Sequence, residues 1–166
     1  MLIATVIRIE GPAVRLRMDG GEESRAVLRG RFRTGPKTAT HPVAVGDRVE
    51  VAQEEGGSIV IRRVLERRNV LARADAGDPR RYQPIAANID QTLCLQSFRD
   101  PELNLRALDR FLLLSHTACV PALIVVNKLD LVHEREPAGL DLYPAAGYEV
   151  MRISVRNGEG LDGVRA

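Results

Sequence analysis

Tryptophan is absent, and Phe and Tyr number three each. A core built on large rings is therefore excluded, and the apolar interior has to come from Val, Ile, Leu and Ala. Two cysteines, Cys94 and Cys119, are too few for a disulfide-dense scaffold and lack metal-ligand spacing. Both are expected as reduced core thiols of a cytoplasmic protein. No apolar run approaches the ~18–20 residues of a membrane span. The first residues, Met1 to Val6, have neither a basic start nor a cleavage site, so no secretory signal is expected. Lysine is nearly missing as well: Lys37 and Lys128 stand against 22 Arg. The last absence is chemical. A nucleotide hydrolase needs a phosphate cradle, G-x-x-x-x-G-K-[ST], at a helix N-terminus. Gly30 and Gly35 have the glycine spacing, but Pro36-Lys37 follows them, and the pattern occurs nowhere in the chain.

The composition, 45% hydrophobic and 28% charged over 166 residues, is that of a globular chain with one domain or two small ones. The net charge of +2 conceals an asymmetry. Residues 1–82 hold sixteen Lys and Arg against eleven Asp and Glu, while residues 83–166 hold eight against eleven. A basic front and a mildly acidic back imply two units, the first with a polyanionic partner.

Five short strands are expected in the front part. Leu2 to Ile9 has Ile3, Thr5, Ile7 and Ile9 on one parity and ends at Gly11-Pro12. Val14 to Met18 alternates and closes in the turn Asp19-Gly20-Gly21. Arg25 to Arg29, Arg48 to Val51 and Ser58 to Leu65 follow. This pattern fits a small closed β-barrel of the OB type over residues 1–66, with an SH3-like barrel as the alternative. Between the third and fourth strands a long loop carries Arg29, Arg31, Arg33 and Lys37 with Phe32 among them, and Arg25 to Gly46 contains no acid. These five residues are candidate RNA contacts, since OB barrels bind nucleic acid in a charged groove that long loops extend. A solvated basic face is the plain alternative. Residues 67–84, with Arg67, Arg68, Arg73, Arg80 and Arg81 and no apolar period, read as a mobile basic linker.

From residue 85 onward the pattern changes to strand–helix–strand–helix–strand, a βαβ series with a parallel sheet. Asp90 to Gln96 is a strand. Asn104 caps a helix with Leu105, Leu108, Phe111, Leu112 and Ser115 at helical spacing. Ala122 to Val126 is a buried strand that stops at Asn127-Lys128-Leu129-Asp130. Leu140 to Ala146 is a short helix with a C-cap glycine at Gly147, and Tyr148 to Ile153 is the next strand.

Ligands of open α/β sheets bind outside the carboxyl ends of the strands. The Asn127–Asp130 tetrapeptide sits at such an end, and its chemistry suits guanine. A carboxylate at Asp130 accepts two hydrogen bonds, and guanine offers two parallel donors, N1–H and the 2-amino group. Adenine lacks that pair and would leave the carboxylate unpaired, at a cost of about 1–3 kcal/mol. Asn127 can tie neighbouring loops or touch the base, and the stem of Lys128 can lie along base or ribose. A turn after a strand is the bland alternative. The loop Ser154 to Gly160 ends the neighbouring strand, and its N–H groups can donate to the guanine 6-oxo group, which adenine lacks.

Seven stretches in order resemble one family. They are Leu28-Arg29-Gly30-Arg31, Val45 to Glu50, Arg68 to Arg73, Gln83 to Gln91, Leu108 to Leu112, Val126 to Asp130 and Gly158 to Asp162. They are similar to the front of the circularly permuted, small-ribosomal-subunit-dependent GTPases called RsgA or YjeQ. The resemblance implies an OB barrel followed by part of a P-loop-GTPase-like α/β parallel sheet, an incomplete G domain over residues 85–166. It implies cytoplasmic GTP or GDP binding with Mg2+, and hydrolysis during late maturation of the small subunit. It also implies a barrel that contacts ribosomal RNA, a monomer when full-length, and no membrane partner. Asn127, Lys128 and Asp130 are then guanine contacts, and Ser154-Val155-Arg156 form the second guanine loop, where the family usually has Ser-Ala-Lys. The cradle, the switches, the Mg2+ ligand and a structural Zn2+ domain belong to a part beyond Ala166. The chain is therefore expected to be an N-terminal fragment with no catalytic residue and no metal ligand of its own. A stand-alone rRNA-binding module without hydrolase activity is the rival reading.

Overall fold

The computed structural model describes residues 2–28, 38–54, 56–78, 80–132 and 137–165. The chain divides into two compact units, residues 1–89 and 90–166.

The first unit is a closed barrel of β1 (Leu2–Glu10), β2 (Ala13–Met18), β3 (Glu23–Val27), β4 (Arg48–Gln53) and β5 (Ile59–Val64), in the order β1-β2-β3-β5-β4. Neighbours are antiparallel except β3 and β5, which run parallel. This is the OB arrangement. Small aliphatics fill the barrel: Ala4, Val6, Val14, Leu16, Ala26, Val43, Val49, Val51 and Ile61. Ala4 and Val6 point inward on β1, not the Ile3, Thr5 and Ile7 parity. A bulge between Val6 and Arg8 then switches parity, so Ile9 returns to the core while Arg8 turns out.

The expected linker is a hairpin instead. β6 (Val70–Ala74) and β7 (Tyr82–Ala87) pair antiparallel, and β7 bridges to Ala39 and Val45. Four of its arginines make side-chain hydrogen bonds, although Arg68, Arg73 and Arg80 remain exposed. Arg67 makes a two-pronged pair with the fully buried Asp47, Nε to Oδ1 at 2.7 Å and Nη2 to Oδ2 at 2.8 Å. The Ala44 N–H donates to the same carboxylate at 2.8 Å. Arg68 donates to the Asn88 carbonyl, Arg73 to Gln83 and Arg80 to Asp78. Asn69 grips Ile89 through both its amide N–H and its carbonyl, and the Asn88 side chain donates to the Gly46 carbonyl. Gly46 has φ +89, and a Cβ there would overlap the Ala87 carbonyl oxygen, so only glycine permits this approach. The first compact unit accordingly runs to residue 89 instead of 66.

In the second unit β8 (Thr92–Ser97), β9 (Ala122–Asn127) and β10 (Glu149–Arg152) form a parallel sheet of order β10-β9-β8. α1 (Leu105–Thr117) covers one face through Leu108, Leu112 and Ser115, with Asn104 Oδ1 accepting from Ala107 N at 2.9 Å. Phe111 is on the flank, half exposed. α2 is shorter than the expected helix, Leu142–Ala145. α3 (Leu161–Arg165) packs Leu161 and Val164 near Leu123, Val125 and Ile153 on the other face. Leu93 and Leu95 continue that second face on β8 and are exposed. Cys94 is buried as expected, but Cys119 is exposed, because the chain leaves α1 there in a left-handed conformation.

Removing the guanidinium in Arg67→Ala strands the buried Asp47 carboxylate and is expected to cost about 3–5 kcal/mol in urea unfolding. Arg67→Lys restores only part, since an ammonium cannot bridge both oxygens.

Tyr143 on α2 donates to Asp109 on α1 at 2.8 Å, and burial, then that carboxylate, push its phenol up to about 12. The folded chain holds this proton more tightly than the unfolded one. The stabilisation is therefore intact below the ordinary phenol range near 10 and lost as pH rises from there to about 12. In an ultraviolet titration one of the three tyrosines is expected to ionise near pH 12, and Tyr143→Phe to remove that late step.

Candidate guanine-nucleotide site

Parallel pairing sets the site. Arg152 on β10 stands opposite Val126 on β9, and Ser97 on β8 opposite Asn127, so all three strands end nearly level. The loops after β9 and β10 leave side by side at the carboxyl edge. Ile153 N donates to Val126 O at 2.9 Å and Leu129 N to Ile153 O at 3.0 Å, which carries the pairing past the strands into both loops.

Asn127 joins them. Its Oδ1 accepts from Lys128 N at 2.7 Å and from Val155 N at 3.1 Å. Its carbonyl accepts from Phe98 N at 3.0 Å, which adds the loop after β8. Lys128 has φ +64, a left-handed backbone that costs a side-chain-bearing residue about 1–2 kcal/mol. The Asn127 hydrogen bond to its N–H offsets that strain. The Lys128 ammonium reaches back to the Asp100 carbonyl. A 3-10 turn, Leu129–Leu131, then directs Asp130 toward the neighbouring loop.

Asp130 is held by the second loop. Ser154 Oγ, fully buried, donates to Asp130 Oδ1 at 2.6 Å, and Asn157 N donates to Ser154 Oγ at 3.2 Å. Arg156 Nη1 stands 4.0 Å from Asp130 Oδ2. The loop closes on itself through paired backbone bonds between Ser154 and Glu159. Gly160, at φ +73, lies where a Cβ would come 2.5 Å from the Arg152 carbonyl oxygen. One Asp130 oxygen is thus pinned by a hydroxyl while the other faces a weakly engaged guanidinium. A carboxylate fixed this way can accept two parallel donors from a planar ligand edge.

The structure therefore brings Asn127, Lys128, Asp130, Ser154, Val155 and Arg156 into one cluster. Arg29, Arg31, Phe32, Arg33 and Lys37 lie outside the described residues. Sequence reading missed two members: the Asp100 carbonyl that takes the Lys128 ammonium, and Ser154 as the group that orients Asp130. The spacing of these partners, 28 and 24 residues, leaves no local signal.

An OB-type barrel followed by this three-stranded parallel sheet is the arrangement of a circularly permuted GTPase. A structure of YloQ, described as a circularly permuted GTPase, matches the fold with TM-score 0.61 at 24% identity, over 94% of this chain and 53% of that one. YjeQ from Thermotoga maritima matches with TM-score 0.69 at 27% identity, over 99% and 55%. The family model for the RsgA GTPase matches residues 64–166. The small ribosomal subunit biogenesis GTPase RsgA of Bacteroides fragilis is 33% identical over 164 residues, 96% of this chain and 53% of its own length. That of Chlorobaculum parvum is 38% identical over 149 residues, 81% of this chain and 48% of its own. The chain belongs to the RsgA GTPase family. It spans about half the length of the curated relatives it matches.

Asn127→Ala removes the acceptor shared by Lys128 and Val155 and leaves both N–H groups unpaired. It is expected to destabilise the second unit by about 1–3 kcal/mol, read by thermal unfolding, and to broaden the Val155 and Lys128 amide signals in solution.

Proposed function

We propose that this chain is the guanine-recognising and RNA-contacting front of a GTPase that acts in small ribosomal subunit biogenesis. The observation that carries the reading is the cross-tied pair of loops at the ends of β9 and β10, with Asp130 oriented by Ser154. Asp130 accepts from guanine N1–H and the 2-amino group. Lys128 lays its stem along the base. The Val155 N–H is directed to Asn127, so the adjacent Arg156 N–H is the donor offered to the 6-oxo group. The barrel contacts ribosomal RNA, with Arg29, Arg31, Phe32, Arg33 and Lys37 as contacts on its long loop. The protein works in the cytoplasm as a monomer; among the described residues no helix is long and apolar enough to cross a membrane.

Mg2+ and Zn2+ follow from the family resemblance. Among the described residues no cluster of three His, Cys, Asp or Glu side chains can hold a metal ion. Base recognition is routed through the protein groups alone. With no G-x-x-x-x-G-K-[ST] cradle in its sequence, this polypeptide alone is expected to bind guanine nucleotide weakly and to hydrolyse none.

Equilibrium binding of GDP, XDP and ADP to the wild type and to Asp130→Asn tests the reading. The wild type is expected to prefer GDP over ADP by at least about tenfold, since a missing donor pair strands the carboxylate. Asp130→Asn is expected to lose that preference and move toward XDP, whose 2-oxo group accepts where guanine donates. Equal affinity for GDP and ADP in the wild type would sink the proposal.

A further inference from the structure

Among the described residues, four other than glycine adopt a left-handed backbone. Two of them, Asp100 at φ +48 and Lys128 at φ +64, stand at the two ends of one hydrogen bond, from the Lys128 ammonium to the Asp100 carbonyl. That backbone is disfavoured for any residue with a Cβ, and residues held in it cluster at ligand clamps.

The loop after β8 does not need this bond to stay in place. At its start Phe98 is buried, and its N–H donates to the Asn127 carbonyl at 3.0 Å. At its end Leu103 packs on the core and Asn104 caps α1. Between these anchors Arg99 stands 3.6 Å from Glu102, so the loop's own charges pair with each other. Holding a lysine side chain in one arrangement also removes much of its rotamer freedom. Two strained backbones and one immobilised side chain are more than loop stability calls for.

What the bond does fix is a direction. Lys128 leaves the end of β9 toward the loop after β8, while Asp130 turns to Ser154 in the loop after β10. The two side chains of one short turn thus diverge, one to each neighbouring loop. The half-buried Lys128 stem becomes a bar of methylenes from the end of β9 to the loop after β8. With its ammonium occupied, Lys128 does not select among bases. An apolar stem with a fixed tip offers its side to the ring of any purine.

We infer that the loop after β8 is the third side of the nucleotide site, and that the Asp100 carbonyl is a positioning group that holds the Lys128 stem against the face of a purine base. Asp100 acts through its backbone, and its carboxylate takes no part. Face contact and edge reading are then separate functions. The bar from Lys128 to Asp100 sets how tightly a purine nucleotide is held, and Asp130 sets which purine. The inference rests on the guanine reading of Asp130 proposed above.

The test uses the whole chain, equilibrium binding of GDP and of IDP, which lacks only the 2-amino group, and lysine labelled at its ε carbon. Lys37 and Lys128 are the only lysines, so Lys37→Arg assigns the two signals. GDP is expected to move the Lys128 methylene signals upfield through the ring current of a stacked base. Asp100→Val, whose branched side chain excludes the left-handed backbone, is expected to free the ammonium and weaken GDP and IDP alike by at least about fivefold. The upfield shift is expected to vanish with it. Asp100→Gly keeps the carbonyl and tolerates that backbone, and is expected to recover at least about threefold of the loss. Lys128→Met, which keeps a stem but has no donor, is expected to match Asp100→Val, so the test does not hang on the folding of one variant. Each of these variants is expected to keep the wild-type ratio of GDP to IDP affinity, which Asp130→Asn abolishes. An Asp100→Gly chain no better than Asp100→Val overturns the inference, because the carboxylate is then the acting group. So does a Lys128→Met chain that binds GDP as the wild type does, or a changed ratio in Asp100→Val. If the wild type prefers GDP but Asp100→Val binds it equally well, this inference alone falls. A wild type without preference for GDP overturns the guanine reading as well.

Discussion

The second unit depends on a shared carboxamide oxygen. Parallel pairing brings β9 and β10 to a level end, and Asn127 Oδ1 then takes the N–H of its own successor and the N–H of Val155. That single acceptor stabilises a left-handed Lys128 and fixes the distance between two loops. Asp130 and Ser154 can meet only because those loops are already held. The recognition carboxylate is thus positioned through backbone geometry rather than through its own contacts alone, which is how a short tetrapeptide obtains a rigid aim.

In the first unit the same physics sorts the arginines into two kinds. Arg67 is spent internally: it neutralises a carboxylate with no exposure at all and pins the start of β4 to the chain that enters the hairpin. The surrounding Asn69, Asn88 and Gly46 contacts make β6 and β7 part of the barrel unit. Arg8, Arg15 and Arg25 share one carboxylate and remain mostly in water. A count of positive charge treats both kinds alike, although one is buried with its partner and the other stays largely in water.

Leu93 and Leu95 add a third constraint. They lie in register with Leu123 and Val125, whose face is covered near α3, but on β8 that face is open. An exposed apolar stretch on an edge strand is a pairing and aggregation hazard.

Local chemistry determined a good part of this protein. Alternation in residues 2–65 marks five strands, and the valine-rich run before Asn127 marks a buried parallel strand, because side-chain periodicity follows backbone geometry. Asn104 as a helix cap and Asn127–Asp130 as a strand-end cluster are likewise legible, each being set within a few residues. The hairpin at 70–87 was not legible. Pro84 sits within β7, a bulge breaks the register at Leu71, and the apolar residues show no alternation, so its existence is decided by long-range bonds from Asp47, Gly46 and Asn88. Tertiary structure also decided the inward parity of β1, through one bulge at Ile7, and with it the outward turn of Arg8. It decided that Ser154 orients Asp130 and that Asp100 receives Lys128, because partners 24 and 28 residues apart meet only when a sheet brings strand ends together.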